Sequence, residues 1–198
     1  MKTLTIVRII HTASDQGSFG QHIVDARIRR IGRVSGGEME RRISARWKEI
    51  ADRIQSAFPK LLNGIVVYQD SLCVELKDEI IKALKARKDF ESPNDRLLKE
   101  LMEKGALIEG TESLELVGEF IGIFKEVASA ATASEQQKIL AGHALKVQSL
   151  LKARDEYIAK RIDATLPEGG QGILFIGEAH RIEEELEKLP STFQIIYL

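Results

Sequence analysis

The chain has 198 residues, 43% of them hydrophobic, and its 29 basic and 30 acidic side chains leave a formal net charge of −1. A chain of this length buries one substantial core, so we expect a single α/β domain over residues 1–198. The charge balance excludes a global attraction to nucleic acid, and we predict no nucleic-acid surface. The one cysteine, Cys73, excludes an intrachain disulfide and a thiolate metal site.

The apolar run that follows Lys2 ends at His11 and is too short to cross a membrane. It also lacks the pattern of a signal-cleavage site. The C-terminal residues form an apolar, strand-like segment without an anchor motif. We therefore expect a cytoplasmic protein with no membrane attachment.

The predicted elements alternate between short apolar strands and helices. In chain order they are a strand at 3–10, a helix at 38–58, a strand at 64–68, helices at 76–88 and from 93 to 104, a weak strand at 106–108, a helix at 114–131, a long helical segment at 134–166, a strand at 173–176, a helix at 183–189 and a strand at 193–197. Short apolar runs separated by helices are typical of a parallel sheet that is covered on both faces. The sequence therefore predicts an α/β fold: a mainly parallel sheet of four to five strands covered by helices, with a helix-rich middle section.

Capping residues mark where several of these helices begin. Ser92 and Pro93 are an N-cap followed by a proline at the first helical position. Ser134 opens a predicted capping box that ends at Gln137. Helix 114–131 is apolar over much of its surface, so we expect it to be buried.

The predicted strands end in ionisable residues. His11 follows the first strand, Asp70 the second, Glu109 or Glu112 the weak third and His180 the fourth. Ligands of parallel α/β sheets bind beyond the carboxyl ends of the strands. We therefore expect the functional site at this edge of the sheet.

Histidine and carboxylate side chains at one edge suggest metal binding or acid–base chemistry. His11 and His180 would bind a metal ion or shuttle protons, because imidazole titrates near neutral pH and is a common metal ligand. Glu178 and Asp70 would orient these histidines or complete a ligand set. Mixed His and carboxylate ligation suits Zn²⁺, Mn²⁺ or Fe²⁺, and the predicted metal ligands are His11, Asp70 and His180.

A loop rich in hydroxyl groups and glycine follows the first predicted strand. Backbone N–H groups that precede a helix bind phosphate, which makes Thr12, Ser14 and Gly17 the candidate cofactor-binding residues. The spacing matches neither a Walker A loop nor a dinucleotide fingerprint. A glycine-rich turn between a strand and a helix is the alternative interpretation.

Two segments near the C-terminus resemble a known family. Arg154 and Asp155 lie on a predicted helix, and the fourth strand runs into Gly177 and His180, which form a Gly-x-x-His pattern. These residues resemble the C-terminal signature of the TraB/TIKI/GumN group, which is related to the ChaN-like and erythromycin-esterase-like proteins. The resemblance implies an α/β fold with a polar cleft of His, Glu and Arg side chains at the strand ends.

The same resemblance bears on activity. Some members of the group are metal-dependent proteases, and others act on small molecules or bind haem or iron. The group has a second Gly-x-x-His pattern on its first strand. This chain has Arg8 in place of that glycine and retains His11.

The leading hypothesis is a hydrolytic enzyme, with or without a metal ion, acting on a small molecule or a peptide. Its catalytic residues would be His180, Glu178, His11 and Arg154, the last neutralising an anionic substrate or intermediate. The alternative is a non-catalytic binding module for a small anionic ligand such as a nucleotide, recognised by residues 12–20 and Arg154. A third hypothesis is a scaffold that forms a homodimer through its helical faces.

Overall fold

The computed structural model of the protein describes residues 1–10, 33–59, 62–87 and 92–198. These residues form five strands and seven α-helices. In chain order the elements are β1 (Lys2–Ile9), α1 (Arg33–Ala57), β2 (Ile65–Cys73), α2 (Lys77–Ala86), α3 (Pro93–Glu103), β3 (Leu107–Glu112), α4 (Leu114–Ser129), α5 (Ala133–Gly142), α6 (Ala144–Thr165), β4 (Gln171–Gly177), α7 (Ile182–Leu186) and β5 (Phe193–Tyr197).

The five strands form one parallel sheet in the order β3-β2-β4-β1-β5. Strand β4 lies in the centre, where Ile173 pairs with Val67 of β2 and Phe175 pairs with Val7 of β1. The predicted fold class is therefore confirmed. Because all the strands run in the same direction, the carboxyl ends of β2, β3 and β4 lie side by side at one edge.

Alternating side chains of the strands divide the core into two layers, one on each face of the sheet. On β4, Phe175 packs in the layer that contains Trp47 of α1, whereas Leu174 packs in the layer that contains Ile158 of α6. Helices α1, α2 and α3 contribute to the first layer, and α6 and α7 contribute to the second. Strands buried on both faces read as continuous apolar runs, which is why the sequence revealed them.

The strands extend further toward the site than the apolar runs indicate. Strand β2 continues through Gln69 and Asp70 to Cys73, and β3 continues through Glu109 to Glu112. These polar residues keep strand geometry because the neighbouring strands and helices cover them. As a consequence, Asp70 and Glu112 stand on strands rather than on mobile connections.

Two helical predictions need correction. The capping box lies at Thr132 and Glu135, two residues before the predicted position. The side chain of each residue accepts a hydrogen bond from the backbone N–H of the other. The long segment predicted at 134–166 is two helices, α5 and α6, which are separated at His143.

Helix α4 is buried on one side only. Val117 and Ile123 are buried, whereas Leu114 and Ile121 are 44% and 38% exposed. The prediction that this helix is buried therefore holds for one of its faces. None of the described helices combines the length and the apolar character that a bilayer crossing requires.

Candidate metal centre

Three buried side chains from neighbouring strands converge at the carboxyl edge of the sheet. Asp70 stands on β2, Glu112 is the last residue of β3, and His180 follows β4 by three residues. Each offers one ligand atom, and these atoms all lie within 4.8 Å of one another. All three side chains are buried, and Glu112 is fully inaccessible. The group could hold a metal ion.

The orientation of His180 is set by Asp155 on α6. The imidazole Nδ1 lies 2.5 Å from Asp155 Oδ1, and Asp155 Oδ2 accepts the backbone N–H of Arg181 at 2.9 Å. A carboxylate can only accept at this position, so Nδ1 carries the proton in the neutral imidazole. The lone pair of Nε2 is then left for the other side, where Asp70 Oδ2 lies 3.7 Å away.

The distance between His180 Nε2 and Asp70 Oδ2 fits either a direct ion pair with a protonated imidazole or two ligands that share an ion, rather than a hydrogen bond. At 3.7 Å, it is too long for a hydrogen bond. Two ligands bound at ~2.1 Å to one tetrahedral ion stand roughly 3.4 Å apart, which is close to the observed value. A histidine held by a carboxylate through its other nitrogen is also the usual arrangement around a protein-bound metal.

Asp70 is held by several donors from different elements. Its Oδ2 accepts the backbone N–H of Gly177 at 2.9 Å, and its Oδ1 accepts the hydroxyl of Ser71 at 3.1 Å. Arg154 Nη2 donates to the same Oδ1 at 3.0 Å. The bond from Gly177 ties the end of β4 to β2, so the strand that leads to His180 is registered directly against Asp70.

Arg154 lies between the two carboxylates of the cluster. Its Nη2 donates to Glu112 Oε1 at 2.5 Å and its Nε lies 3.1 Å from Glu112 Oε2. The ring of Phe120 on α4 covers the guanidinium, with 4.9 Å between Arg154 Cζ and the ring centroid. The arginine is thereby fixed in place and limits the repulsion between Asp70 and Glu112.

The electrostatics of Arg154 and Glu112 differ. Burial raises the pKa of Glu112, although the hydrogen bonds and the charge of Arg154 act in the opposite direction. Burial also opposes the charged form of Arg154, but its hydrogen bonds to Glu112 and the nearby carboxylates outweigh this and raise the pKa of the guanidinium. Arg154 therefore stays cationic, and its charge favours the ionised form of Glu112 while burial opposes that form.

The buried cluster contains more carboxylates than cationic side chains. Asp70, Glu112 and Asp155 contribute three carboxylates, and Arg154 contributes one guanidinium. If all three carboxylates were ionised and the imidazole neutral, these groups would carry a net charge of −2, although burial raises the pKa of Glu112 and so favours its protonated form. Buried charge is costly unless it is matched, and one divalent cation would match it.

The structure brings together some of the residues predicted for the site and separates others. Asp70, Arg154 and His180 lie in the cluster, together with Glu112, which was one of two carboxylates proposed for the third strand. Glu178 is exposed in the turn after β4, where its backbone oxygen lies 3.4 Å from Arg181 Nη1. His11, Thr12, Ser14 and Gly17 lie outside the described residues.

Glu109, the other carboxylate proposed for the third strand, has a different environment. It accepts from Lys77 at 3.1 Å and lies 3.5 Å from Arg161 Nη2. The carboxylate of Glu109 is therefore paired with Lys77 and Arg161, and Glu109 does not belong to the group formed by Asp70, Glu112 and His180.

Sequence reasoning assigned no role to Asp155 beyond its place in the family resemblance. Its position carried a usable signal, because Arg154, Asp155, Ile158 and Ile162 follow the spacing of one helical face. All four are buried on α6. Two adjacent charged residues on the buried face of a helix require partners, and the nearest polar strand ends supply them.

Cys73 takes no part as a thiolate. It is buried, and burial together with the charge of Glu112 raises the pKa of its thiol to about 11. The thiol is therefore neutral at physiological pH, as expected for a small apolar residue of the core.

No family model matches this chain, and neither the curated proteins nor the solved structures show a significant similarity to it. The case for a function therefore depends on the geometry and the chemistry of the site.

Proposed function

We propose that the protein is a metal-dependent hydrolase whose divalent ion is held by Asp70, Glu112 and His180. The observation that carries this proposal is the convergence of the three ligand atoms within 4.8 Å at the carboxyl edge of the sheet. One imidazole and two carboxylates suit Zn²⁺, Mn²⁺ or Fe²⁺. The excess of carboxylates over cationic side chains in the cluster and the support of His180 by Asp155 favour the same conclusion.

The protein groups would divide the work at such a centre. A bound divalent ion supplies Lewis acidity and a water with a lowered pKa. Asp155 presents His180 Nε2 as a neutral ligand, and Arg154 holds Asp70 and Glu112 at a fixed separation. Because Arg154 is engaged by both carboxylates, we assign it to the support of the ligands rather than to direct contact with a substrate.

The proposal includes membership of the TraB/TIKI/GumN group. Support comes from the way in which the residues that carry the resemblance lie together. Arg154 and Asp155 contact Asp70 and His180, and Gly177 donates its N–H to Asp70. We propose a peptide or a small molecule as the substrate, in keeping with the activities in that group.

Metal analysis of the purified protein tests the proposal. We expect one equivalent of Zn²⁺, Mn²⁺ or Fe²⁺ per chain, lost in His180→Ala and in Glu112→Gln. Glu109→Gln is the matched control, because Glu109 is a carboxylate on the same strand outside the cluster. The loaded protein should hydrolyse members of a panel of peptides and chromogenic esters, with activity removed by a chelator and restored by the metal. A wild-type protein that takes up none of these ions when loaded in excess refutes the metal centre.

A further inference from the structure

The backbone beside Asp70 is in a conformation that side chains rarely adopt. Ser71 has a φ of 66°, in the left-handed region. Among the described residues, the others with a positive φ are all glycines, namely Gly64, Gly105 and Gly169. A glycine would take this conformation without steric strain, so what the serine adds at this position is its hydroxyl.

The strained residue coincides with an irregularity in the sheet. The register of β2 against β3 shifts between Gln69 and Cys73, and Ser71 lies within that interval with its side chain exposed. Irregularities of this kind redirect side chains and are common next to active sites. Here the redirected segment contains Asp70, the ligand that β2 brings to the cluster.

The hydroxyl of Ser71 contacts the redirected ligand itself. Ser71 Oγ donates to Asp70 Oδ1 at 3.1 Å, on the oxygen that also accepts from Arg154. With Oδ1 held in this way, Oδ2 remains on the side of Gly177 and His180 Nε2. The left-handed backbone is what brings the hydroxyl of one residue onto the carboxylate of its neighbour.

We propose that Ser71 is a positioning residue of the metal centre: its left-handed backbone aims a hydroxyl that fixes the rotamer of Asp70. The inference rests on the proposed function, since it assigns a role in a metal site. It predicts that substitution of this residue changes metal affinity without a matching change in stability. A residue with a merely structural role would move both in the same direction.

Two variants separate the backbone from the hydroxyl. Ser71→Gly relieves the backbone strain but also removes a hydrogen bond, and these two effects on stability oppose each other, so the thermal midpoint of the metal-free protein should stay within roughly 4 °C of the wild type. Its dissociation constant for Co²⁺, read from the visible absorption of the bound ion, should weaken roughly fivefold or more. Ser71→Thr keeps the hydroxyl but increases the strain, so the midpoint should fall while the Co²⁺ affinity stays within about twofold of the wild type.

The amide of Gly177 reports on Asp70 without any metal, because it donates to Asp70 Oδ2. We expect its ¹H–¹⁵N resonance in the metal-free protein to shift in Ser71→Gly and to stay in place in Ser71→Thr. An unmoved Gly177 amide in Ser71→Gly overturns the inference, and so does wild-type Co²⁺ affinity in that variant. If the wild type binds no Co²⁺, Zn²⁺ or Mn²⁺, the proposed function fails, while a shifted Gly177 amide still supports positioning of Asp70 by Ser71.

Discussion

His180 and Asp155 lie on separate elements, yet both oxygens of the Asp155 carboxylate are used on the segment that contains His180. One oxygen contacts the imidazole Nδ1 at 2.5 Å, and the other accepts the N–H of Arg181 at 2.9 Å. A side chain and the following backbone group are thus held by one carboxylate from α6. The orientation of the imidazole is therefore determined by a helix rather than by the turn in which His180 stands.

Replacing Asp155 with Asn should weaken metal binding without unfolding the protein. The amide oxygen of asparagine can still accept from Nδ1, but its NH₂ group can donate to Nδ1 instead and so favour the tautomer that is protonated on Nε2. The substitution also removes a negative charge near the ion. We expect a loss of metal affinity of roughly 10–100-fold, measured by calorimetric titration with Zn²⁺. Glu156→Gln, one residue further along α6, is the control and should bind as the wild type does. An Asp155→Asn protein with unchanged affinity would show that the contact does not support a ligand.

Removal of Arg154 should destabilise the protein, and a metal ion should restore much of that loss. Arg154→Met leaves Asp70 and Glu112 buried without their shared cation, which we expect to lower the free energy of unfolding by about 3–5 kcal/mol. A divalent ion should then stabilise the variant more than it stabilises the wild type. Urea denaturation with and without Zn²⁺ measures both quantities.

Arg161→Met provides the comparison for Arg154, because Arg161 lies on the same helix and pairs with Glu109 at a partly exposed position. It should cost less than about 1 kcal/mol and show no enhanced rescue by metal. Equal stabilisation of the wild type and Arg154→Met by Zn²⁺ would contradict the charge argument.

The turn that contains His180 should loosen when Arg8 is replaced. Arg8 Nη1 donates to the backbone oxygens of Gly177 and His180 at 3.3 and 3.1 Å, and its Nη2 pairs with Glu183. In Arg8→Met, the amides of residues 178–181 should exchange with solvent roughly tenfold faster, as expected for lost hydrogen bonds worth about 1–1.5 kcal/mol. Hydrogen-exchange mass spectrometry measures this effect.

Arg53→Met removes an exposed arginine from α1 and should leave the exchange of residues 178–181 unchanged. Unaltered exchange in Arg8→Met would rule out a role for Arg8 in holding this turn. If the turn does loosen, Arg8 is one of the residues that hold the segment containing His180.

The buried phenol of Tyr68 should make stability depend on alkaline pH. Burial raises its pKa to about 12, while its hydrogen bond with Thr165 acts in the opposite direction. In the unfolded chain the phenol ionises near pH ~10, so the unfolded state binds fewer protons between these values. The stability provided by the neutral phenol is therefore present below pH ~10 and is lost as the pH rises toward 12, by about 2–3 kcal/mol.

Tyr68→Phe removes this dependence. At pH 8, we expect the wild type to be more stable by ~1 kcal/mol because of the Thr165 hydrogen bond, whereas above pH ~11 the variant should be the more stable protein. Urea denaturation across this range measures the crossing. Thr165→Val should lose the hydrogen bond but keep the alkaline dependence. Parallel curves for the wild type and Tyr68→Phe would disprove the assignment to Tyr68.

The sheet and its edge could be predicted because buried parallel strands are continuous apolar runs, as at residues 173–176. The full lengths of β2 and β3 could not, because Asp70 and Glu112 are polar residues that remain in strands only when tertiary structure covers them. The side chains that contact His180 could not be predicted from the sequence either. Glu178 is close to it in sequence but exposed, whereas Asp155 reaches it from α6 because the helix packs over the strand ends.

The strand order has a consequence for how the site assembles during folding. Strand β4, which leads to His180, lies between β1 and β2, strands that are distant from it in the chain. Pairing of β2 with β4 closes a long loop. This step is slow, because the chain loses conformational entropy before the stabilising contacts between the two strands form. Asp70, Glu112 and His180 therefore meet only after this pairing. An ion would be captured by a nearly complete fold and would slow its unfolding, rather than nucleate its formation.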